Sequence, residues 1–402
     1  MSVSTIQHAT AAAASAPSRA DGKMPGLTAS VLPDFASAKT LWLEMAAAGT
    51  ATPYQGFDWL ESYFRRVEAT QGAEAALVVV RNVAGEALML LPLAITTTGL
   101  VRVARFIGGK HSNFNMPVVT DAAARLTTDD LTHALTEAGR IAGIDLFALL
   151  NQPTEWEGTP NPMMRLGGQP APSAGYKLAL TADGEALLQG RLSKDTRKKL
   201  RQKEGKLAQL GPVTYRRATT SCEARAILDA FLALKAARFQ TQGIDDPFAG
   251  ADVKAFLEEA VTSGLSDGRA VVELHALMLA DRPVAIYGAV ADDTRFCGLF
   301  TAFDADPEIS RSSPGDILLM AIIKDCCARG LKTFDLGVGE ARYKAQVCDQ
   351  TEALVNSFVA VTFKGRIAAR AMAGLQDLKR WAKHSPQGQK LIAALRKLKA
   401  RA

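Results

Sequence analysis

The sequence predicts a mixed α/β (α+β) chain of two lobes in tandem, each a mostly antiparallel, twisted sheet with one β–α–β crossover and flanking helices. Three observations predict it. The same order of helical and strand-like periodicities occurs twice, short polar turns separate the strand-like runs, and a Pro- and Gly-rich stretch lies between the copies. The duplication is one of pattern, since no residue-level repeat is visible.

In the first copy "GFDWLESYFRRVEAT" has apolar residues at helical spacing. Three strand-like runs follow, "AALVVVRN", "EALMLLPLAI" and "LVRVARFIG", joined by "AGE" and "TTTG", which suit hairpin connections. A polar loop, a helix near 127–142 and the apolar run "IDLFALL" (144–150) complete it. Residues 151–190, with "NQPTEWEGTPNPMMRLGGQPAPSAG", form the connector. The second copy opens with helices near 222–241 and 252–264. Its strand-like runs are "AVVELHALML", "VAIYGAV" and "RFCGLFTAF", linked by "ADRP" and "ADDT". A helix near 315–329 and the strand "KTFDLG" (332–337) end it. In each copy a strand, a helix and a further strand make a crossover with the two strands parallel. The expected division is a flexible tail over 1–25, a first lobe over 26–180, a second over 181–362 and a basic helical tail over 363–402.

With 402 residues, 48% hydrophobic and 22% charged, the chain has the composition of a soluble globular protein. No apolar run reaches the ~18 residues needed to cross a bilayer. The first 25 or so residues lack the basic start and apolar block of a secretory signal. Cys222, Cys297, Cys326, Cys327 and Cys348 are odd in number and have no C-x-x-C spacing, which argues against a disulfide framework and a zinc site. A cytoplasmic location is therefore expected. The net charge of +6 is uneven: residues 364–402 carry eleven Lys/Arg against Asp377 alone, leaving the remainder at −4. A second basic stretch, "RLSKDTRKKLRQKEGK", spans 191–206. The tail's charge is open to peripheral contact with an anionic membrane. A solvated helix face is the favoured reading, and nucleic acid is not expected as a partner, because Trp381 is the only aromatic beyond Phe363.

The stretch "SSPGDILLM" (312–320) enters the crossover helix of the second copy, where a ligand site in such a unit lies. Ser313 fits the N-cap, Pro314 the first helical position and Asp316 the acid of a capping box. Gly315 is not needed for that purpose and costs ~1 kcal/mol of helix propensity. It is useful where a phosphate must come close to the backbone at the positive end of the helix.

A resemblance adds to these readings. "LSKDTRKKLRQKEGKLAQLG" (192–211), "FLALKAARFQTQG" (231–243) and "RSSPGDILLMAIIKDCCARGLKTFDLGVGEARYK" (311–344), with the meander between them, resemble the acyltransferase domain of CelD-type proteins. These belong to the GNAT superfamily and are related to the Fem-type peptidyltransferases. The first half is similar through "TPYQGFDWLESYF", the "LPLAI" strand and "RFIGGKHSNFNMPVV". The resemblance implies two tandem GNAT-like lobes, the second holding the better-formed donor site. It implies transfer of an acyl group from acetyl-CoA or another acyl-CoA to an amine or hydroxyl, without a metal. The usual loop Q/R-x-x-G-x-G/A is absent, and "SSPG" stands in its place.

The resulting expectation is an acyl-CoA-dependent N- or O-acyltransferase acting on a small-molecule or sugar acceptor, a polysaccharide precursor. The alternatives are a Fem-like enzyme using aminoacyl-tRNA and a non-catalytic binding protein of the same fold. Ser313, Gly315, Phe303 and Asp304 are assigned to the donor, Tyr343 to the general acid, Lys344 to charge neutralisation, and Glu340 to a base acting through water. Lys235 and Arg238 share a helix face and, with His111 and Asn113, are assigned to the acceptor. His275 and Glu273 alternate on one strand face and are expected to meet solvent together. No G-x-S-x-G elbow and no metal-ligand grouping is present.

Overall fold

A computed structural model describes residues 26–388. The expected tail over 1–25 lies outside them. The first lobe contains β1 (Thr28–Leu32), α1 (Phe35–Ala48), α2 (Phe57–Tyr63), β2 (Glu74–Arg81), β3 (Ala87–Thr98), β4 (Val101–Phe106), β5 (Val118–Val119), α3 (Thr128–Ala142) and β6 (Leu146–Pro153). Local chemistry marks the ends. Asp34 caps α1 through Ser37 N, and Thr127 with Asp130 forms a reciprocal capping box on α3. The connector holds β7 (Glu155–Trp156), β8 (Thr159–Pro160), β9 (Gln169–Pro170) and β10 (Gly175–Ala179).

The second lobe follows with α4 (Gly184–Arg191), α5 (Lys194–Ala208), β11 (Val213–Arg217), α6 (Ser221–Gln242), α7 (Ala251–Thr262), β12 (Glu273–Leu279), β13 (Arg282–Ala291) and β14 (Arg295–Phe303). Then come α8 (Pro307–Ser310), α9 (Pro314–Ala328), β15 (Thr333–Val338), α10 (Arg342–Val347), β16 (Gln350–Glu352), β17 (Leu354–Ala360) and α11 (Phe363–His384).

Two large sheets result. The first has the order β1-β2-β3-β4-β6-β17-β9, with β5 on β3, and the second β11-β12-β13-β14-β15-β10-β16. The crossover strands are parallel as expected, β4 with β6 and β14 with β15. The other named pairings within these sheets are antiparallel. On the second sheet α9 covers one face with Leu318, Ile322 and Ile323, and α6 covers the other with Phe231, while α7 packs on α6 and sets Phe256 against Trp59 and Tyr63 of the first lobe.

Strand pairing runs across the boundary expected at 180/181. β10, placed with the first lobe, pairs with β15 in the second sheet; β17, placed with the second, pairs with β6 in the first. Each lobe closes its partner's sheet. α11, in the expected helical tail, packs Ala368, Ala369 and Met372 onto Val103, Leu146 and Ala148 of the first sheet, and residues 389–402 lie outside the described residues.

Candidate active site

The parallel register of β14 and β15 runs from Arg295–Thr333 to Cys297–Asp335 and stops. Both strands continue, so beyond this point they part. Against β13, Gly288 pairs with Phe300 and Ala289 with Gly298, which leaves Leu299 as the extra residue of a β-bulge. An N–H released from the ladder beside a gap is the kind of donor that can meet a developing oxyanion.

Two tyrosines stand on the α9 side of this opening. The Tyr287 hydroxyl lies where any Cβ on Gly298 would have to go, which explains the glycine there. Burial pushes the Tyr287 phenol well up, and the neighbouring Tyr343 adds to the effect. Burial also raises Tyr343, with Cys348 and Asp316 of the first α9 turn contributing. Neither hydroxyl has a hydrogen-bond partner among the described residues. From the opposite side the first lobe reaches in. Asn113 Nδ2 donates to Gly298 O (2.9 Å) and to Tyr54 Oη (2.8 Å), while its Oδ1 accepts from Val338 N (3.4 Å). This one side-chain amide bridges the parted strands as a peptide unit would. Gly337, at φ 73°, gives it room, because a Cβ would come within 2.7 Å of Asn113 Nδ2.

The helix end at Ser313 differs from a capping box. Ser313 sits at φ 47°, its side chain makes no cap, and its Oγ accepts from Lys203 Nζ at 2.6 Å. The expected cap is thus replaced by a contact with α5. Pro314 has no N–H, and Asp316 and Ile317 both donate to Ser313 O, while the Gly315 N–H makes no hydrogen bond among the described residues. A groove of about 480 Å³ opens beside this end, lined by Lys199, Lys203, Lys206 and Arg311 with the acid Glu308 and the buried Ser312. Lys199, Lys203 and Lys206 recur at helical spacing, so one face of α5 delivers all three.

The assigned residues fall into distinct places. Gly315 adjoins Phe303, whose Cδ1 is 3.7 Å from where a Cβ would stand, and Arg238 stacks over Phe303 at 4.9 Å. Ser313, Gly315, Phe303 and Arg238 therefore border one region, with Tyr343 close through Asp316. Lys235 lies over the rings of Phe231, Phe239 and Phe248, where burial lowers its pKa. Asp304 is spent on Arg282 (3.0 Å) and on the Asp306 N–H. Glu340 is ion-paired with Lys383 of α11; burial raises its carboxyl, but the hydrogen bond from Lys383, one from its own backbone N–H and the charges of Lys383 and His384 together outweigh this and hold it below the ordinary value. Such an acid is a weak base. Lys344 is buried and donates to Gly337 O (3.1 Å) and Val338 O (3.2 Å), with burial lowering its pKa, so it braces the β15 exit.

His275 corrects the sequence reading: it is fully buried rather than solvent-facing. Its Nδ1 meets Tyr215 Oη at 2.8 Å and its Nε2 faces Glu273 at 3.3 Å, because α9 covers this face of β12. His111 packs in a second hollow of about 170 Å³ between the lobes, with Lys110, Asn113, Phe248, Phe256 and Phe300. Its Nδ1 meets Tyr63 Oη at 3.0 Å, and burial lowers its pKa to about 4, so the ring is neutral. Sequence reasoning missed Tyr287, the α5 lysines and Arg311. The basic run of α5 was visible, but not that α5 folds against "SSPG".

Residues 194–345 match the model of the GNAT acetyltransferase domain, so the second lobe carries a domain of that type. Among solved structures, FemX aligns with TM-score 0.56 at 10% identity, over 83% of this chain and 98% of FemX. The C-terminal domain of a protein described as lysylphosphatidylglycerol synthetase from Agrobacterium fabrum aligns with TM-score 0.51 at 14% identity, over 84% and 96%. The structure of L-PGS from Bacillus licheniformis aligns with TM-score 0.50 at 11% identity, over 85% and 97%. These are likenesses of fold. No curated protein matches the chain.

Proposed function

We propose that the protein is an acyltransferase that moves an acyl group from acyl-CoA directly to an amine or hydroxyl. The observation that carries this reading is the adjacency of a cationic groove to a strand opening that holds two unpartnered tyrosine hydroxyls. Lys199, Lys203, Lys206 and Arg311 match a pyrophosphate in charge, and the Gly315 N–H supplies a backbone donor at the positive end of α9. A thioester lying in the opening would direct its carbonyl towards the N–H of the Leu299 bulge. The acceptor nitrogen or oxygen attacks the carbonyl carbon and loses its proton to water. The C–S bond then breaks, and Tyr343 protonates the departing thiolate. The hollow at His111, beyond Asn113, is on the acceptor side. A sugar or polysaccharide precursor as acceptor rests on the CelD-type motifs, as does a cytoplasmic setting on the cysteine usage.

The second reading is an aminoacyl-tRNA donor, and α5 is the observation that favours it. Its cations continue along the helix past the groove, as a nucleic-acid backbone would require. FemX and L-PGS share this fold. Isothermal titration with coenzyme A and with tRNA separates the readings. Coenzyme A binding that is lost in Lys203→Ala supports the first; tRNA binding with a steep salt slope and no coenzyme A binding supports the second. Binding of neither sinks both.

A further inference from the structure

We propose that α11, together with the tip of the β3–β4 hairpin, is a docking surface for an anionic lipid bilayer, on which the helix lies flat. One face of α11 is buried on the first sheet through Ala368, Ala369 and Met372. Its outward side is not the solvated polar face that its charge suggests. Phe363 is 71% exposed, Ile367 58%, Leu378 56% and Trp381 44%. At 3.6 residues per turn these four fall within about 60° of one another, a single stripe along the whole helix. Leu375, 50% exposed, lies at its margin.

A second element extends the stripe. Leu100, at the hairpin tip, is 85% exposed, and Lys364 Nζ donates to its carbonyl oxygen at 2.8 Å, which places it beside Phe363. Half of the twelve large apolar residues exposed among the described residues therefore lie on this one surface. Soluble surfaces scatter such residues singly, and a contiguous group marks a contact.

Charge selects the occupant. Arg366 and Arg370 border the stripe on one side, with Asp377 on the same side paired to Arg380, Lys379 follows, and residues 364–402 sum to +10. An apolar stripe bordered by cations is the pattern of a helix seated at the headgroup level of an anionic membrane. A second copy would bring +10 against +10. Residues 1–25, with Arg19 and Lys23 against Asp21, offer neither apolar length nor opposite charge. Among the described residues no helix is long and apolar enough to cross a bilayer, so the helix lies on the membrane rather than through it.

Trp381 makes the test specific. Trp42, Trp59 and Trp156 are at most 2% exposed, so emission changes on vesicle addition report Trp381. The full chain is mixed with vesicles of phosphatidylcholine containing phosphatidylglycerol, and with pure phosphatidylcholine. The expected result is co-sedimentation with the anionic vesicles alone, reversed by salt, with blue-shifted and quencher-protected Trp381 emission. Phe363→Ser/Ile367→Ser/Leu378→Ser should weaken that binding by at least about tenfold without moving the unfolding midpoint. Three results overturn the proposal: no binding to anionic vesicles at low salt, equal binding by the triple variant, or a vesicle-free dimer that the triple variant dissociates.

Discussion

Replacing Arg295 by Met tests the buried charge cluster behind the opening. Arg295 is 1% exposed. It contacts Asp335, reaches Glu352 Oε2 at 2.5 Å and Glu157 Oε1 at 3.6 Å, and stacks 3.7 Å from the centre of the Trp156 ring. Methionine keeps the length and removes the charge. Glu352 retains Lys177 at 3.7 Å, so the loss falls on Asp335, which is fully buried and keeps only the Gly337 N–H. Stranding one partner of a buried pair costs about 3–5 kcal/mol. Burial already pushes the Asp335 carboxyl up, and loss of Arg295 pushes it further. The folded variant then holds a proton that the unfolded chain has released, so its stability falls as pH rises. Urea unfolding followed by tryptophan emission should show a deficit of about 4 kcal/mol at neutral pH that shrinks near pH 5. Adding Asp335→Asn should recover more than half of it. A loss under about 1 kcal/mol, or no recovery in the double variant, refutes the reasoning.

Four further outcomes are expected. Lys203→Ala should raise the donor KM about tenfold with little change in kcat, since it binds ground and transition states alike; an unchanged KM in steady-state assays removes it from the donor site. Tyr343→Phe should lower kcat about 100-fold at unchanged unfolding midpoint. Because burial lifts Tyr343 above its ordinary 10, no alkaline limb from this acid should appear below pH 10 in the wild-type kcat profile. Burial raises Glu68 from 4.5 to about 7, so the folded state is the more protonated between these values and stability falls by about 3 kcal/mol as pH rises through them. His111 runs the other way: its pKa drops from 6.5 to about 4, so stability is lost as pH falls across that window. The two trends nearly cancel between pH 4.5 and 6.5, and Glu68→Gln should expose the His111 slope in unfolding midpoints measured across that range.

The meanders and both crossovers were legible because their signals are local: apolar runs between turn residues, then a helical period. β17 was not, although "LVNSFVA" is an apolar run, because nothing in a strand's own residues names its partner. α1 had its cap in Asp34, yet "FASAKTLWLEMAAA" is too uniformly apolar for a clear face. At the site, Gly315, Phe303 and Arg238 are adjacent in space, and the first two lie at the ends of crossover elements that the sequence orders. Lys203 and Ser313 are 110 residues apart, and only tertiary packing brings them together. His275 was misjudged because strand alternation gives which residues share a face, not which face is covered.

The exchange of β10 and β17 has a mechanical consequence. Hinging the halves apart would mean peeling a hydrogen-bonded strand from the next-to-last position of each sheet. The halves are therefore stitched, and access to the cleft is left to smaller pieces, the Gly109–His111 turn and the 339–341 loop. For the same reason neither half should survive excision: a fragment cut at 180/181 lacks the strand that completes its own layer.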